Sequence, residues 1–74
     1  MNRDITIALF EERSWPNGAR VTLAHESGLE RPYRVAVFVG GEQKVTWSTH
    51  ERKLADHHFK KAVEAIEVLG LDKP

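Results

Sequence analysis

The chain has 74 residues, of which 41% are hydrophobic and 30% are charged, and its eleven basic and eleven acidic residues cancel to a formal net charge of zero. This composition is typical of one small folded domain over residues 1–74 and excludes an intrinsically disordered chain. The absence of cysteine excludes disulfide bonds and thiolate zinc sites.

The N-terminal residues, MNRDITIALF, show no basic segment followed by a long apolar core. No apolar run in the chain approaches the roughly 18 residues that a membrane span requires. We therefore expect a cytoplasmic protein that makes no contact with a membrane.

Four segments alternate apolar and polar residues with a period of two, which predicts four β-strands. They are DITIALF (4–10), ARVTLAHE (19–26), YRVAVFV (33–39) and QKVTWST (43–49). Turn residues separate them: Pro-Asn-Gly at 16–18, SGLERP at 27–32, and Gly40-Gly41, which is a two-residue hairpin signal. Connections this short predict an antiparallel meander.

Residues 48–70 predict one helix. Its apolar residues recur at helical spacing: Ala55, Phe59, Ala62, Ile66 and Leu69. Ser48 and Glu51 fit a capping box at the start, with Thr49 as a competing cap, and Gly70 stands where a left-handed C-terminal cap belongs. The predicted fold class is α+β, a four-stranded antiparallel meander sheet with one C-terminal helix packed on one face.

The alternation assigns residues to the two faces of this sheet. The helix is expected to cover the valine-rich face, which would carry Ile5, Ile7, Leu9, Val21, Leu23, Val35, Val37, Val45 and Trp47. The other face would carry an apolar set of Ala8, Phe10, Ala24, Ala36 and Phe38 beside Arg20, Arg34 and Lys44. An apolar patch with a polar rim marks an interaction site. The predicted partner-binding residues are Phe10, Arg20, Thr22, Arg34, Ala36, Phe38, Lys44 and Thr46.

Several interpretations of this surface compete. It suits self-association as a homodimer, or a protein partner, because aromatic and arginine side chains dominate binding energies. It also suits nucleic acid, where phenylalanines stack on bases and basic side chains meet phosphates. The acidic residues 11, 12, 26, 30 and 42 are expected in turns around the sheet, where they would repel a duplex. A plainer interpretation is that these apolar residues only cover the sheet.

The helix carries three of the four histidines, His50, His57 and His58. Their separations of one, seven and eight residues do not converge on one ion, since adjacent helical residues diverge by about 100°. His57 is expected in solvent and His58 at the boundary of the buried stripe. We predict no metal site and no cofactor.

No pattern of catalytic residues emerges. Ser14, Ser27 and Ser48 are expected in turns or at the helix cap, and Val39-Gly40-Gly41 joins two strands instead of opening a helix, as a phosphate loop would. We therefore predict no enzymatic activity. The predicted function is that of a small regulatory module that binds a protein, as an adaptor or as an inhibitor of the kind that phages and other mobile elements encode. The alternative is a nucleic-acid-binding dimer that uses the same face.

Overall fold

The computed structural model describes residues 6–72. Four strands, β1 (Ile7–Ser14), β2 (Arg20–Glu26), β3 (Tyr33–Val39) and β4 (Glu42–Thr49), precede one helix, α1 (Arg52–Val68). Each strand pairs antiparallel with the next, so the sheet has the order β1-β2-β3-β4. The helix packs on one face of this sheet, which confirms the predicted α+β meander.

The residues of two turns match the backbone geometry that each turn requires. Gly40 and Gly41 both have positive φ, 62° and 84°, as the mirror-image turn of a two-residue hairpin requires. Between β1 and β2, the Asn17 side chain accepts a hydrogen bond from the Ala19 amide at 3.0 Å, and the Trp15 amide donates to the Ala19 carbonyl at 2.9 Å. These bonds close the turn before the chain enters β2.

The hydrophobic core lies between α1 and the middle of the sheet. Its sheet side comes from β2 and β3, where Val21, Leu23 and Val35 are fully buried. Its helix side comes from the predicted stripe, of which three residues are buried: Ala55, Ala62 and Ile66. Partly buried side chains complete the cluster: Trp15, Tyr33, Val39, Trp47, Phe59 and Val63. The helix contacts β2, β3 and β4, while β1 lies to one side of it.

Trp47 joins the edge of this core to the helix. Its side chain is half-buried, and its ring stacks on His58 of α1 with centroids 5.4 Å apart and planes 6° from parallel. The predicted position of Trp47 against the helix is therefore confirmed, whereas its predicted full burial is wrong, because the side chain lies at the edge of the core. His57 is exposed, as expected, and His58 is at the boundary.

The helix begins later than the capping box predicted. Ser48 still belongs to β4, because pairing with β3 continues to Thr49, and the N-cap residue Glu51 has no side-chain cap hydrogen bond. Thr49 is buried and its hydroxyl accepts a hydrogen bond from the Glu51 amide at 3.2 Å. The capping box from Ser48 is therefore wrong.

The C-terminus of the helix follows the prediction. Gly70 has φ of 73°, in the left-handed region. The Leu71 amide donates to the Ile66 carbonyl at 2.9 Å and the Gly70 amide donates to the Glu67 carbonyl at 3.2 Å. This pair of bonds is the Schellman motif, which a glycine at this position favours.

The first strand departs from simple alternation. Its register shifts between Leu9 and Glu11, so Phe10 is an extra residue in a β-bulge. Ile7 and Leu9 pair with Glu26 and Ala24, which places them on the face away from the helix, and their side chains are 66% and 57% exposed. Their predicted place on the helix side is therefore wrong. Ile5, predicted with them, lies outside the described residues.

Two alanine substitutions in the last turns of α1 test this packing. Ile66 is 2% exposed and Val68 is 78% exposed. Ile66→Ala should lower the free energy of unfolding by about 2–5 kcal/mol, because it removes buried methyl groups and leaves a cavity. Val68→Ala should change it by less than about 0.5 kcal/mol. Urea denaturation followed by tryptophan fluorescence measures both, and equal effects would contradict the described helix orientation.

Candidate functional site: the outer face of the sheet

The outer face is the side of the sheet away from α1, and its membership follows from the strand register. Directly paired residues share a face, which gives three rows that cross all four strands. The rows are Leu9–Ala24–Arg34–Ser48, Glu12–Thr22–Ala36–Thr46 and Ser14–Arg20–Phe38–Gln43, with Ile7 and Glu26 as a further pair at one end. The single helix of residues 6–72 lies on the opposite side.

Six of the eight predicted partner-binding residues share the outer face. They are Arg20, Thr22, Arg34, Ala36, Phe38 and Thr46. Arg20 lies opposite Phe38, and Ala36 lies between its cross-strand neighbours Thr22 and Thr46. The structure therefore brings these six residues into one contiguous area of β2, β3 and β4.

The two arginines of this area are both paired. Arg20 lies 3.6 Å from the carboxylate of Glu12 and Arg34 lies 3.4 Å from that of Glu26. The guanidinium of Arg20 also lies over the Phe38 ring, 4.5 Å from its centroid. These two arginines and two glutamates sum to zero charge, so the outer face has no basic excess.

Glu12 and Glu26 are site residues that the sequence analysis missed. Both were expected in turns, because the alternation of apolar residues ends before them. The structure extends β1 beyond the predicted segment to Ser14, and β2 includes Glu26, the last residue of the predicted segment 19–26, so both carboxylates lie within the sheet. A run of charged residues continuing a strand carries no hydrophobic signal, so only the register reveals these pairs.

Phe10 is not on the outer face. Its ring lies among aromatic side chains on the helix side, with centroids 6.1 Å from His25 and 6.3 Å from Tyr33. The Arg52 guanidinium, at the start of α1, lies 4.5 Å from the centre of the Phe10 ring. The bulge at Phe10 is the cause, since one extra residue reverses which side chains face the helix. Ala8, which pairs with His25, is displaced to the helix side for the same reason.

Lys44 is also misplaced in the prediction. It occupies a second register shift, where Phe38 pairs with Gln43 and Val37 pairs with Val45, so that Lys44 is the extra residue. Its ammonium group lies 3.2 Å from the Glu42 carboxylate, and the residue lines a hollow between β4 and α1. Both wrong assignments therefore fall at β-bulges.

The apolar character of the outer face comes from a different set of residues than predicted. Ala36 is only 6% exposed and Phe38 is half-buried beneath Arg20, so neither offers much free apolar surface. Ile7 and Leu9 on β1 supply it instead. The exposed apolar area thus lies toward the β1 edge, beside the ion pairs.

One end of the outer face is concave. A hollow of about 450 Å³ lies there, lined by Glu12, Ser14, Gly18, Ala19, Arg20, Phe38 and Gly41. The Arg20–Glu12 ion pair and the Phe38 side chain are both part of its wall. Such a lining suits a side chain inserted by a partner that combines an apolar body with a polar end.

Other kinds of site lack support in residues 6–72. No group of three or more histidine, cysteine, aspartate or glutamate side chains in that part of the chain is arranged to hold a metal ion. Within the same residues, no helix has the length and hydrophobicity needed to cross a membrane. No protein-family model, curated protein or solved structure matches this chain. The candidate site is therefore argued from its geometry.

The bulge in β1 predicts the effect of two neighbouring substitutions. Phe10→Ala removes the contacts with His25, Tyr33 and Arg52, and should lower the free energy of unfolding by about 1–2 kcal/mol. Leu9→Ala, on the exposed outer face, should lower it by less than about 0.5 kcal/mol. Urea denaturation compares them directly. The reverse order of effects is the result that an unbulged strand would give.

Proposed function

We propose that this protein is a small, non-enzymatic regulatory module of the cytoplasm that binds another protein through the outer face of its sheet. It acts as an adaptor or as an inhibitor of the kind that phages and other mobile elements encode. The observation that carries the proposal is the asymmetry of the sheet. The core uses one face only, and the other face holds exposed Ile7 and Leu9 beside an ordered set of ion pairs.

The composition of the outer face favours a protein partner. A solvated sheet face is ordinarily polar, yet here two large aliphatic side chains at alternate positions of β1, Ile7 and Leu9, are more than half exposed. The Arg34–Glu26 ion pair lies next to them, and Arg20, held by both Glu12 and Phe38, lies toward the other end of the same face. Pre-ordered arginine and aromatic side chains with an apolar neighbour are what protein interfaces select, because little side-chain entropy is lost on binding.

The electrostatics disfavour nucleic acid as the partner. Binding to duplex DNA depends on lysine and arginine side chains that replace counterions at phosphates. On the outer face, each arginine already has a carboxylate within 3.6 Å. Lys44, the third cation of the sequence prediction, is paired with Glu42. The nucleic-acid-binding dimer therefore remains the weaker alternative.

Site-specific photo-crosslinking in cells of the natural host tests the proposal. A photoreactive phenylalanine analogue at Thr46 lies on the outer face, and the same analogue at Glu64 lies on the exposed side of α1. We expect one adduct of defined mass from position 46 and none from position 64. Adding Phe38→Asp should abolish the adduct, because the substitution removes the ring on which the Arg20 guanidinium lies and puts a carboxylate in its place. Circular dichroism checks that this variant is folded.

Two results would overturn the proposal. One is an adduct from position 64 that persists in the Phe38→Asp variant, which would move the interface to the helix. The other is an adduct to nucleic acid at position 46, together with a gel-shift complex that is lost in Arg20→Glu/Arg34→Glu. The binding constant of such a complex should fall about tenfold per phosphate contact for each tenfold rise in salt concentration. The matched control is Glu12→Gln/Glu26→Gln, which frees both arginines and should strengthen any such complex.

A further inference from the structure

The two free edges of the sheet differ in charge. β1 presents Glu11, Glu12 and Arg13 along its edge, and a bulge interrupts it. Charged side chains and bulges are the usual devices that prevent edge-to-edge pairing. In β4 the bulge and its charges lie at the start, and the segment 45–49, Val-Thr-Trp-Ser-Thr, carries no charged residue. The β4 edge is thus unprotected over five residues.

The flank of α1 above β4 is mostly uncharged, with exposed Lys61, one turn after His58, at its solvent side. His58 marks this flank through its stack on Trp47. Leu54 lies one turn before His58, Ala65 lies two turns after it, and Leu69 follows Ala65 by one turn. The opposite flank is charged, since Glu67 reaches Arg13 of β1 at 3.3 Å and Asp56 pairs with Arg52. The helix therefore separates a charged flank from one that is uncharged except for Lys61.

An apolar hollow joins this flank to the β4 edge. It has a volume of about 200 Å³ and is lined by Val37, Val39, Lys44, Val45, Trp47, Ala62, Ala65, Ile66, Leu69 and Leu71. Three residues at its rim remain exposed although they are aliphatic: Val45 at 42%, Leu69 at 70% and Leu71 at 38%. The strand edge, the hollow and the helix flank form one continuous surface, which we call the β4–α1 side.

We propose that the β4–α1 side binds a second copy of this chain, with the two β4 strands antiparallel about a two-fold axis and the two helix flanks in contact. The segment 45–49 of each copy would then exchange backbone hydrogen bonds with the other. Within residues 6–72, the amide and carbonyl groups of this segment that point away from β3 have no strand partner, and pairing satisfies them. The aliphatic rim residues of one copy would pack against those of the other.

The distribution of charge along β4 favours a second copy of the chain as the partner, in the antiparallel orientation. Antiparallel pairing brings the start of one β4 beside the end of the other. Lys44 of one copy then lies near Glu51 of the second copy, so opposite charges meet at both ends of an uncharged centre. Parallel pairing would instead place each Lys44 beside its equivalent. The formal net charge of zero removes long-range repulsion between copies.

This inference does not rest on the proposed function, since it uses the edge of β4 and the flank of α1, which share only Thr46 and Ser48 with the outer face. A two-fold axis perpendicular to the sheet leaves both outer faces on the same side of one eight-stranded sheet. The dimer would present two copies of the outer face to a partner, and the extra burial would stabilise a domain whose own core is small.

Single cysteines test the inference cleanly, because the natural chain has none. Thr46→Cys and Ser48→Cys place a thiol on β4, and Ser14→Cys places one on β1 as a control. Under mild oxidation we expect a disulfide-linked dimer from Thr46→Cys alone, from Ser48→Cys alone, or from the mixture of the two, depending on which residue lies at the axis. Directly opposed residues approach closely enough for this bond. The Ser14→Cys protein should remain monomeric.

Sedimentation equilibrium supplies the second measurement. The natural chain should form a dimer of its 8.4 kDa subunit, and Val45→Lys should shift it to monomer while circular dichroism stays unchanged. Ile7→Lys, on the outer face, should leave the dimer intact. The inference is overturned if the natural chain stays monomeric up to about 1 mM, a concentration at which even weak complexes form. It is also overturned if Ile7→Lys dissociates the dimer and Val45→Lys does not. Outer-face crosslinking in the Val45→Lys variant separates failure here from failure of the proposed function.

Discussion

The width of a single helix governs this structure. An α-helix with its side chains is about 10–12 Å across, whereas adjacent strands lie about 4.8 Å apart, so one helix covers roughly three strands of one face. In residues 6–72, α1 covers β2, β3 and β4. Strand β1, the whole outer face and the β4 edge have no helix over them. Both proposed binding surfaces lie in the parts of the sheet that the helix does not cover.

The same constraint explains the irregular first strand. Because β1 lies beside the helix, its helix side need not be apolar, and Glu11 and Arg13 occupy positions whose cross-strand partners, Leu23 and Val21, are fully buried. A bulge at Phe10 is tolerated there, and it turns that ring toward His25, Tyr33 and Arg52. The aliphatic residues before the bulge then face outward, where they contribute to the outer face.

The fold could be predicted from the sequence because its signals are local and agree with each other. Alternation marks four strands, Gly40-Gly41 fixes a hairpin, and the helical stripe ends at Gly70. The site could be predicted only in part. Alternation without interruption assigned Phe10 and Lys44 to the outer face, and each lies at a bulge that no local residue pattern announces. The pairs of Arg20 with Glu12 and Arg34 with Glu26 depend on register across strands, which alternation does not specify.

The proposed function requires that the outer face binds a protein, whereas the sheet face under the helix forms the core. Methyl NMR of the isotopically labelled chain, recorded in buffer and then in lysate of the host, tests this most directly. We expect the methyl signals of Ile7, Leu9 and Ala24 to broaden or shift in lysate, and those of Val21 and Ile66, buried under the helix, to stay unchanged. The broadening should be lost with Phe38→Asp. Unchanged outer-face signals, or changes confined to exposed Val68 and Leu69 at the end of the helix, would show that the outer face is not the binding surface.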